Sequence, residues 1–359
     1  MQYLLPYNHI VLYKSYNEGC IIDFKKNKII FSDNQLIELL INKDIKLEQI
    51  NNESSFVITQ KQFESLIKNN MFFITDLKSN FQIRQNERFN YSLIENITIN
   101  FDIIKNDIFN LLHDVCYNFN VKALKINLSI YSPEIILKCL NVISGLPLES
   151  VECILSFDEI SNNKDFLLKM KNECVTLTSV NYLNTIQLDE IENFNNLTIR
   201  KYSNNFPKIL ISQKLYIESV QKNNYYNQKL YIGPSGEIKN APESDEIFGN
   251  IIKVKNTEDL KKIISIPEFQ KYWEVHKDIQ DVCKDCAFRY ICVDNKVPYQ
   301  RSENEWYHKI ECNYNPYISK WKGEEGYKTL AECGVISNEN GFSIDHDKIA
   351  EINKVLWGE

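Results

Sequence analysis

The sequence has no block rich in lysine and arginine, and its 41 basic residues are outnumbered by 48 acidic ones, for a net charge of −7. Proteins that bind nucleic acid usually present a clustered basic surface, so we expect no nucleic-acid partner. No uninterrupted apolar run approaches the roughly 20 residues needed to cross a bilayer, so we expect no membrane partner. Residues 1–9 lack a basic segment followed by an apolar run, so we expect no signal peptide and a cytoplasmic location.

Familiar catalytic motifs are also missing. The sequence has no Walker-type phosphate loop, and no carboxylate pair or Ser/His/Asp set is identifiable from its spacing. We therefore name no catalytic residue. Hydrophobic residues make up 43% of the chain and charged residues 25%, which is ordinary for a globular protein. A length of 359 residues is enough for two or three domains.

Residues 1–85 predict a small module of short strands and short helices. Apolar runs predict strands at 9–13, 19–24, 28–31 and 71–75. Capping residues and apolar spacing predict helices after 32–34, over 46–50 and after Thr59. This layout resembles a winged helix, in particular the PqqD-like recognition element that binds the leader of a ribosomal peptide by strand addition. A purely structural N-terminal cap is the open alternative.

Residues 86–227 alternate between strand and helix patterns. Alternating apolar residues predict strands near 124–128, 151–157, 177–183 and 197–200. Helical spacing predicts intervening helices, one of which begins at Ser132-Pro133. Successive β–α units build a parallel sheet with right-handed crossovers. The units are too few for a closed eight-stranded barrel, so we expect a partial, open one.

Residues 228–359 begin with a predicted hairpin over 229–239 and contain predicted helices over 267–279 and 347–357. Between those helices lies a C-x2-C-x5-C run that is followed by a fourth cysteine. The four cysteines are Cys283, Cys286, Cys292 and Cys312. Two thiols separated by two residues can wrap one turn and point at the same centre, so a metal or an iron–sulfur cluster explains the run. Zinc also binds four thiolates, so a zinc site is the alternative to a 4Fe–4S cluster.

The hairpin, the stretch 248–251, the helix and the cysteine run resemble the SPASM domain of radical SAM peptide-modifying enzymes. A full SPASM domain of that family has seven cysteines and two auxiliary 4Fe–4S clusters. Ala241 and Lys296 stand where that pattern has two of its cysteines, and no cysteine closer than Cys174 precedes the hairpin. The resemblance therefore implies that all the cysteines specific to one auxiliary cluster are missing, while the four cysteine ligands of the other cluster are present. The retained ligands are Cys283, Cys286, Cys292 and Cys312.

Radical SAM enzymes of that family also carry a C-x3-C-x2-C motif, which holds the cluster that reduces SAM, and a Gly-Gly-Glu segment, which binds the methionine end of SAM. The sequence has neither a C-x3-C-x2-C motif nor a Gly-Gly pair. The resemblance therefore implies that this chain has no radical SAM chemistry and binds no SAM.

The cysteine stretch resembles more closely the SPASM protein of grasp-with-spasm peptide systems, through residues 283–298, 306–308 and 312–317. In those systems a short precursor peptide, an ATP-grasp ligase and a SPASM protein occur together. The resemblance implies an accessory maturation protein that binds one 4Fe–4S cluster and presents the precursor to the ATP-grasp partner. An enzyme that modifies the peptide through an unrecognised site, and a zinc-stapled binding or regulatory protein, stay open as alternatives.

The predicted fold class is α/β, in three parts: a winged-helix-like module at 1–85, a degenerate partial (β/α) barrel of radical SAM type at 86–227, and a cluster-binding SPASM domain at 228–359. Three further residues near the cysteine run have predicted roles. Arg289 and Lys284 are expected to offset the negative charge of a thiolate site. Cys333 is a spare thiol that could replace Cys312 as the fourth ligand.

Overall fold

The computed structural model forms two compact units. The first joins residues 1–88, 207–224 and 274–359, and the second joins 89–206 and 225–273. The residues described are 3–41, 60–76, 92–100, 108–128, 132–156, 163–183, 190–202 and 207–358. The helix predicted over 46–50 lies outside them. Within these ranges, no helix combines the length and the apolar character that crossing a membrane requires.

The N-terminal part of the first unit contains five strands and two helices. The strands are β1 (Tyr3–Pro6), β2 (Ile10–Lys14), β3 (Gly19–Asp23), β4 (Lys28–Ser32) and β5 (Phe72–Thr75). The helices are α1 (Asn34–Ile41) and α2 (Gln60–Lys68). Strands β2, β3 and β4 form an antiparallel meander, and β1 pairs with β5. The predicted strands at 9–13, 19–24, 28–31 and 71–75 are therefore confirmed.

Strands β2 and β3 of the meander carry buried side chains on both faces. Alternate side chains such as Ile10 and Ile21 pack against α1 and β5. The side chains between them, such as Val11 and Cys20, pack against residues of the cysteine run. Successive side chains of a strand point to opposite faces, so one apolar segment can fill two cores. The cysteine run and the N-terminal helices are thus held on opposite faces of one sheet.

The second unit is built around a nine-stranded sheet. Its first six strands are β6 (Asn96–Asn100), β7 (Ala123–Asn127), β8 (Ser150–Ser156), β9 (Leu177–Leu183), β10 (Glu190–Phe194) and β11 (Leu197–Tyr202). After β12 (Lys208–Ile209) of the first unit, the sheet continues with β13 (Lys229–Ile232), β14 (Glu237–Lys239) and β15 (Gly249–Asn250). The helices of the second unit are α3 (Ile108–Asn118), α4 (Pro133–Ile143), α5 (Lys164–Glu173), α7 (Thr257–Ile264) and α8 (Pro267–Gln270). Helix α6 (Gln213–Ser219) belongs to the first unit.

The strand order of the sheet is β10-β11-β9-β8-β7-β6-β13-β14-β15. The five pairings from β11 through to β13 are parallel, and the pairings at both ends are antiparallel. Helices α3, α4 and α5 connect the successive parallel strands. The α/β prediction is confirmed at this level, as a mixed fold with a large sheet that contains parallel strands. The predicted hairpin over 229–239 is confirmed and extends this same sheet.

The C-terminal part of the first unit consists of short strands and one longer helix. The strands are β16 (Cys292–Val293), β17 (Tyr299–Ser302), β18 (Glu305–Tyr307), β19 (Tyr314–Asn315), β20 (Lys320–Trp321), β21 (Val335–Asn338) and β22 (Gly341–Ile344). The helix is α9 (His346–Trp357), which confirms the helix predicted near the C-terminus.

The continuous helix predicted over 267–279 is wrong. Helix α8 ends at Gln270, and the chain returns to helical geometry only in a 3₁₀ turn at Lys277–Ile279. The reason is that the segment passes from the second unit to the first between Trp273 and Glu274. Apolar spacing along the sequence cannot show that neighbouring turns pack into different cores.

We predict that Gly19→Ala destabilises the first unit. A Cβ atom at Gly19 would meet the side chain of Ile37 and would lie 2.8 Å from the carbonyl oxygen of Asp33, so β3 and α1 would have to separate. Overpacking of this kind costs about 1–3 kcal/mol. Urea unfolding followed by tryptophan fluorescence checks this, because three of the four tryptophans, Trp306, Trp321 and Trp357, lie in the first unit.

Gly145→Ala is the matched control. A Cβ atom there would lie 3.7 Å from the carbonyl oxygen of Val142, which is an ordinary contact. We expect its free energy of unfolding to change by about 0.5 kcal/mol or less. Equal unfolding midpoints for the two variants would contradict the close approach of β3 to α1.

Candidate metal centre

One cavity brings together the four cysteines predicted as ligands. Its volume is about 180 Å³. The four are Cys283, Cys286, Cys292 and Cys312. Cys292 is buried and the other three are partly buried. Cys333, the predicted spare, is not among the described residues that line the cavity, and its sulfur accepts a hydrogen bond from Asn315 at 3.3 Å.

The first two cysteines are placed by a single turn of backbone. Cys283 begins a 3₁₀ turn that ends at Asp285, and the amide of Cys286 donates to the carbonyl oxygen of Cys283 at 3.0 Å. The amide of Phe288 then donates to the sulfur of Cys286 at 3.3 Å. Cys292 lies on β16, which pairs with β12. The sequence C-x2-C therefore folds as the tight turn that its spacing predicts.

The residue before the first cysteine has a strained backbone. Val282 has φ 65° and ψ −46°, a region that a β-branched residue rarely adopts. The amide of Cys283 donates to the carbonyl oxygen of Asp281 at 2.6 Å, which closes a γ-turn around Val282. The carboxylate of Asp281 is held by Arg301 at 2.6 Å and by the hydroxyl of Ser337 at 3.1 Å. Strain of this kind persists where the surroundings fix it, and it concentrates at functional sites.

Burial keeps the thiols of Cys283, Cys286 and Cys292 neutral by raising their pKa values. It raises the pKa of Cys283 to about 12. Burial, reinforced by the neighbouring Cys292, raises the pKa of Cys286 well above its usual value. A thiolate is the form that binds a metal, so a cation or a cluster has to supply the charge that deprotonates these groups. Four thiols around one cavity are a donor set of the kind that zinc and iron–sulfur clusters use.

A buried ion pair forms part of the same cavity wall. The ammonium of Lys277 donates to Oδ2 of Asp294, and Oδ1 of Asp294 accepts from the amide of Lys296 at 3.0 Å. Burial raises the pKa of the Asp294 carboxyl, but Lys277, His308 and Lys296 together outweigh burial, and the net pKa is well below the usual range. Sequence reasoning missed this pair, because nothing in the sequence indicates that residues 277 and 294 meet.

A more compact set of donors overlaps the four cysteines. The sulfur of Cys283, a carboxylate oxygen of Asp294 and a ring nitrogen of His308 lie within 4.8 Å of one another. Both Asp294 oxygens already accept hydrogen bonds, and Nε2 of His308 lies 2.6 Å from Oε1 of Gln280. A single ion bound here would break these contacts and lie beside the ammonium of Lys277. The arrangement therefore fits a polar wall of the cavity better than a mononuclear site.

The N-terminal sheet holds the middle of the cysteine run. The hydroxyl of Tyr13 on β2 donates to the carbonyl oxygen of Ala287 at 2.5 Å, and the thiol of Cys20 on β3 approaches the same oxygen at 3.7 Å. The guanidinium of Arg289 lies 4.8 Å from the centre of the Tyr13 ring. The backbone between Cys286 and Cys292 is thus fixed by side chains that lie more than 260 residues earlier in the chain.

The two cations predicted to offset the thiolate charge each pair with a carboxylate. Nε of Arg289 donates to Asp278 at 2.9 Å, and its NH1 group donates to the carbonyl oxygen of Cys286 at 3.1 Å. The ammonium of Lys284 lies 3.7 Å from Asp281. Arg289 therefore supports the backbone of the cysteine run directly.

We predict that Tyr13→Phe destabilises the first unit. Among the described residues, it leaves the buried carbonyl oxygen of Ala287 with only the weak thiol donor of Cys20. An unsatisfied buried acceptor costs about 1–3 kcal/mol. Tyr16→Phe is the matched control, because the Tyr16 hydroxyl meets Nδ1 of His346 at an exposed position. Urea unfolding followed by tryptophan fluorescence measures both; similar losses for the two variants would contradict the role of Tyr13.

Comparison with known proteins finds distant likenesses only. No family model matches the chain, and no curated protein matches it. Among solved structures, the crystal structure of Streptococcus suis SuiB bound to S-adenosylmethionine gives a TM-score of 0.29 at 11% sequence identity. A second crystal structure of SuiB gives 0.26 at 10%. Each comparison covers 80% of this chain and 94% of the other. The TM-scores and sequence identities are too low to support any conclusion about the site.

Proposed function

We propose that this protein binds one 4Fe–4S cluster in its cysteine-lined cavity and acts as an accessory protein in the maturation of a ribosomally made peptide. The observation that carries the proposal is the meeting of four thiols, from a C-x2-C-x5-C run and a later cysteine, around one cavity. The proposed ligands are Cys283, Cys286, Cys292 and Cys312.

The size of the cavity allows a cluster. It measures about 180 Å³, whereas one water molecule needs only about 10–15 Å³. The cavity therefore has room for a group of several atoms beside the four cysteines. When bound, a 4Fe–4S cluster supplies a covalent cross-link and a one-electron relay.

The cations around the cavity suit a negatively charged group. Lys277, Arg289 and Lys296 all line it. Lys296 stands where the SPASM pattern has one of its missing cysteines, so that position contributes a charge to the wall instead of a ligand. A thiolate-ligated cluster carries net negative charge, which nearby cations stabilise.

The N-terminal module is the proposed binding site for the leader of the precursor peptide. Strand β4 is an end strand of the meander, and Phe31 on it is 41% exposed. The ring of Phe31 contacts that of Phe288 in the cysteine run, with ring centres 5.7 Å apart. An extended peptide paired with β4 would gain backbone hydrogen bonds and an aromatic contact beside the cysteine run. An ATP-grasp partner would then perform the ligation chemistry.

We predict that anaerobically purified protein contains about four iron and four sulfide per chain, as the proposed cluster requires. It should also show a broad absorbance band from thiolate-to-iron charge transfer. Replacing any one of the four cavity cysteines by serine should remove most of the iron, because each supplies one of four ligands. Iron and sulfide assays, with metal analysis for zinc, measure the content.

Cys333→Ser is the matched control, since Cys333 is buried in the same unit but does not line the cavity. It should keep its iron. Stoichiometric zinc with no iron in the wild-type protein would contradict the cluster. Loss of iron in the Cys333 variant with retention in the Cys312 variant would contradict the ligand set.

We predict that labelled precursor peptide from the same gene neighbourhood binds the protein, and that Phe31→Asp weakens binding about tenfold, which corresponds to about 1.4 kcal/mol. Fluorescence anisotropy measures the affinity. Tyr117→Asp is the control, because Tyr117 is 73% exposed and lies in the second unit. Mass spectrometry on the same mixtures tests the accessory role; a mass change in the peptide without the ATP-grasp partner would show that the protein is itself the modifying enzyme.

A further inference from the structure

We propose that Asp281 is a positioning residue, which holds the strained turn at Val282 and so fixes Cys283 at the cavity before a cluster binds. This inference rests on the proposed function, since Cys283 matters here as one of the four proposed ligands. The groups that hold Asp281 come from β17, β18 and the C-terminal hairpin β21–β22. The first cysteine of the run is thereby tied to the end of the chain.

The first observation is the backbone conformation of Val282. Its φ of 65° and ψ of −46° make it the central residue of a γ-turn, which the amide of Cys283 closes by donating to the carbonyl oxygen of Asp281 at 2.6 Å. This form of γ-turn is rare and strained, and a β-branched residue adopts it only where its surroundings impose it. A negative φ would redirect the chain here, so Asp281 or Cys283 would have to move.

The side chain of Val282 helps to keep the turn in place. It packs against an apolar cluster in the C-terminal part of the first unit. The buried members of that cluster are Tyr317, Ile318, Cys333, Val335 and Ile349. Val282 also lines the cavity together with its two neighbours, Asp281 and Cys283. The turn therefore joins the apolar cluster to the cavity wall, and glycine, which would relieve the strain, would lose this packing.

The second observation is how firmly Asp281 is held. It is buried, and its amide donates to the carbonyl oxygen of Trp306 at 2.7 Å. Its carboxylate oxygen Oδ2 accepts from Arg301 at 2.6 Å and from the hydroxyl of Ser337 at 3.1 Å. Arg301 in turn donates to the carbonyl oxygen of Asn338 at 2.9 and 2.7 Å. Strand β21 therefore holds Asp281 directly through Ser337 and indirectly through Arg301, and hydrogen bonds to a charged group are the stronger kind.

The backbone after the turn is held as well. The amide of Lys284 donates to the carbonyl oxygen of Gln280 at 3.0 Å, and the amide of Cys286 donates to that of Cys283 at 3.0 Å. All these contacts are made by groups of the protein, so they hold the turn whether or not a cluster is bound. A thiol that is already in its binding position loses less conformational freedom on ligation, which favours binding. Asp281 should therefore help the protein to retain its cluster.

The first test measures thiol reactivity in the cluster-free protein, by timed alkylation with N-ethylmaleimide and mass spectrometry of the peptides. Asp281→Asn removes the charged anchor of the turn, so Cys283 should react about tenfold faster than in the wild type, because its reaction depends on local opening. Cys20 and Cys333 serve as reference thiols. Both are buried in the same unit, and neither is among the described residues that line the cavity. Their rates should not change, whereas a general loss of stability would raise all three rates.

The second test measures how fast the loaded protein loses iron to the chelator bathophenanthroline disulfonate. Asp281→Asn should lose iron about tenfold faster than the wild type, as is typical when a group that supports a metal ligand is removed. Ser337→Ala removes one hydrogen bond to Asp281 and leaves the pairing with Arg301 intact. It should show both effects in the same direction but smaller, and it provides the test if Asp281→Asn does not fold.

Asp345→Asn is the matched control, because it makes the same substitution in the same unit. The carboxylate of Asp345 caps α9 by accepting from the amide of Lys348 at 3.0 Å, a role that asparagine fills equally well. Its alkylation and iron-release rates should equal those of the wild type.

The outcomes separate the two proposals. Wild-type protein that takes up no iron and sulfide overturns the proposed function, and with it the ligand role of Cys283. Loaded protein in which Asp281→Asn and Ser337→Ala leave both rates unchanged overturns the inference alone. Equal acceleration of Cys283 and the two reference thiols also overturns it, and would leave Asp281 as a general structural anchor.

Discussion

The hydroxyl of Tyr13 meets the carbonyl oxygen of Ala287 in the middle of the cysteine run, and this contact shows how the site is supported. The run contains only short turns and a two-residue strand, so it has little regular structure of its own. Its shape comes from the N-terminal sheet packed against it. The residues that carry the proposed ligands and those that hold them in place therefore lie at opposite ends of the chain.

Much of the fold could be predicted from the sequence, because local patterns determine it. The alternation in β7 and β8, and the Ser132-Pro133 start of α4, predicted these elements of the second unit directly, whereas strands β6 and β10 were not predicted. The four cysteines were also identifiable, since the spacing of the run already constrains where its sulfurs can point. Their meeting at one cavity follows from the fold, and only the structure shows it.

Other features depend on contacts between distant residues. The 267–279 segment has apolar residues at helical spacing, but the chain leaves one unit and enters the other inside it. Nothing in the sequence distinguishes Lys277 from the other lysines, and only the structure shows its buried pairing with Asp294. The hairpin over 229–239 was predicted correctly, yet its pairing with β6 involves a strand more than a hundred residues earlier. Such pairings leave no periodic trace in the sequence.

The two-sided burial of β3 has a consequence for how this strand finds its register. When only one face of a sheet is apolar, a slip of one residue exposes that face to water and is penalised. Here both faces of β3 are apolar, so hydrophobicity alone does not penalise a slip. Shape and charge must do so. Gly19, the first residue of β3, admits the side chain of Ile37, and Asp23, the last, is fully buried and caps the turn to β4 through the amides of Lys25 and Lys26. The small Gly19 at one end of β3 and the charged Asp23 at the other thus fix the register of the strand. The same register determines which side chains of β3 pack against the cysteine run.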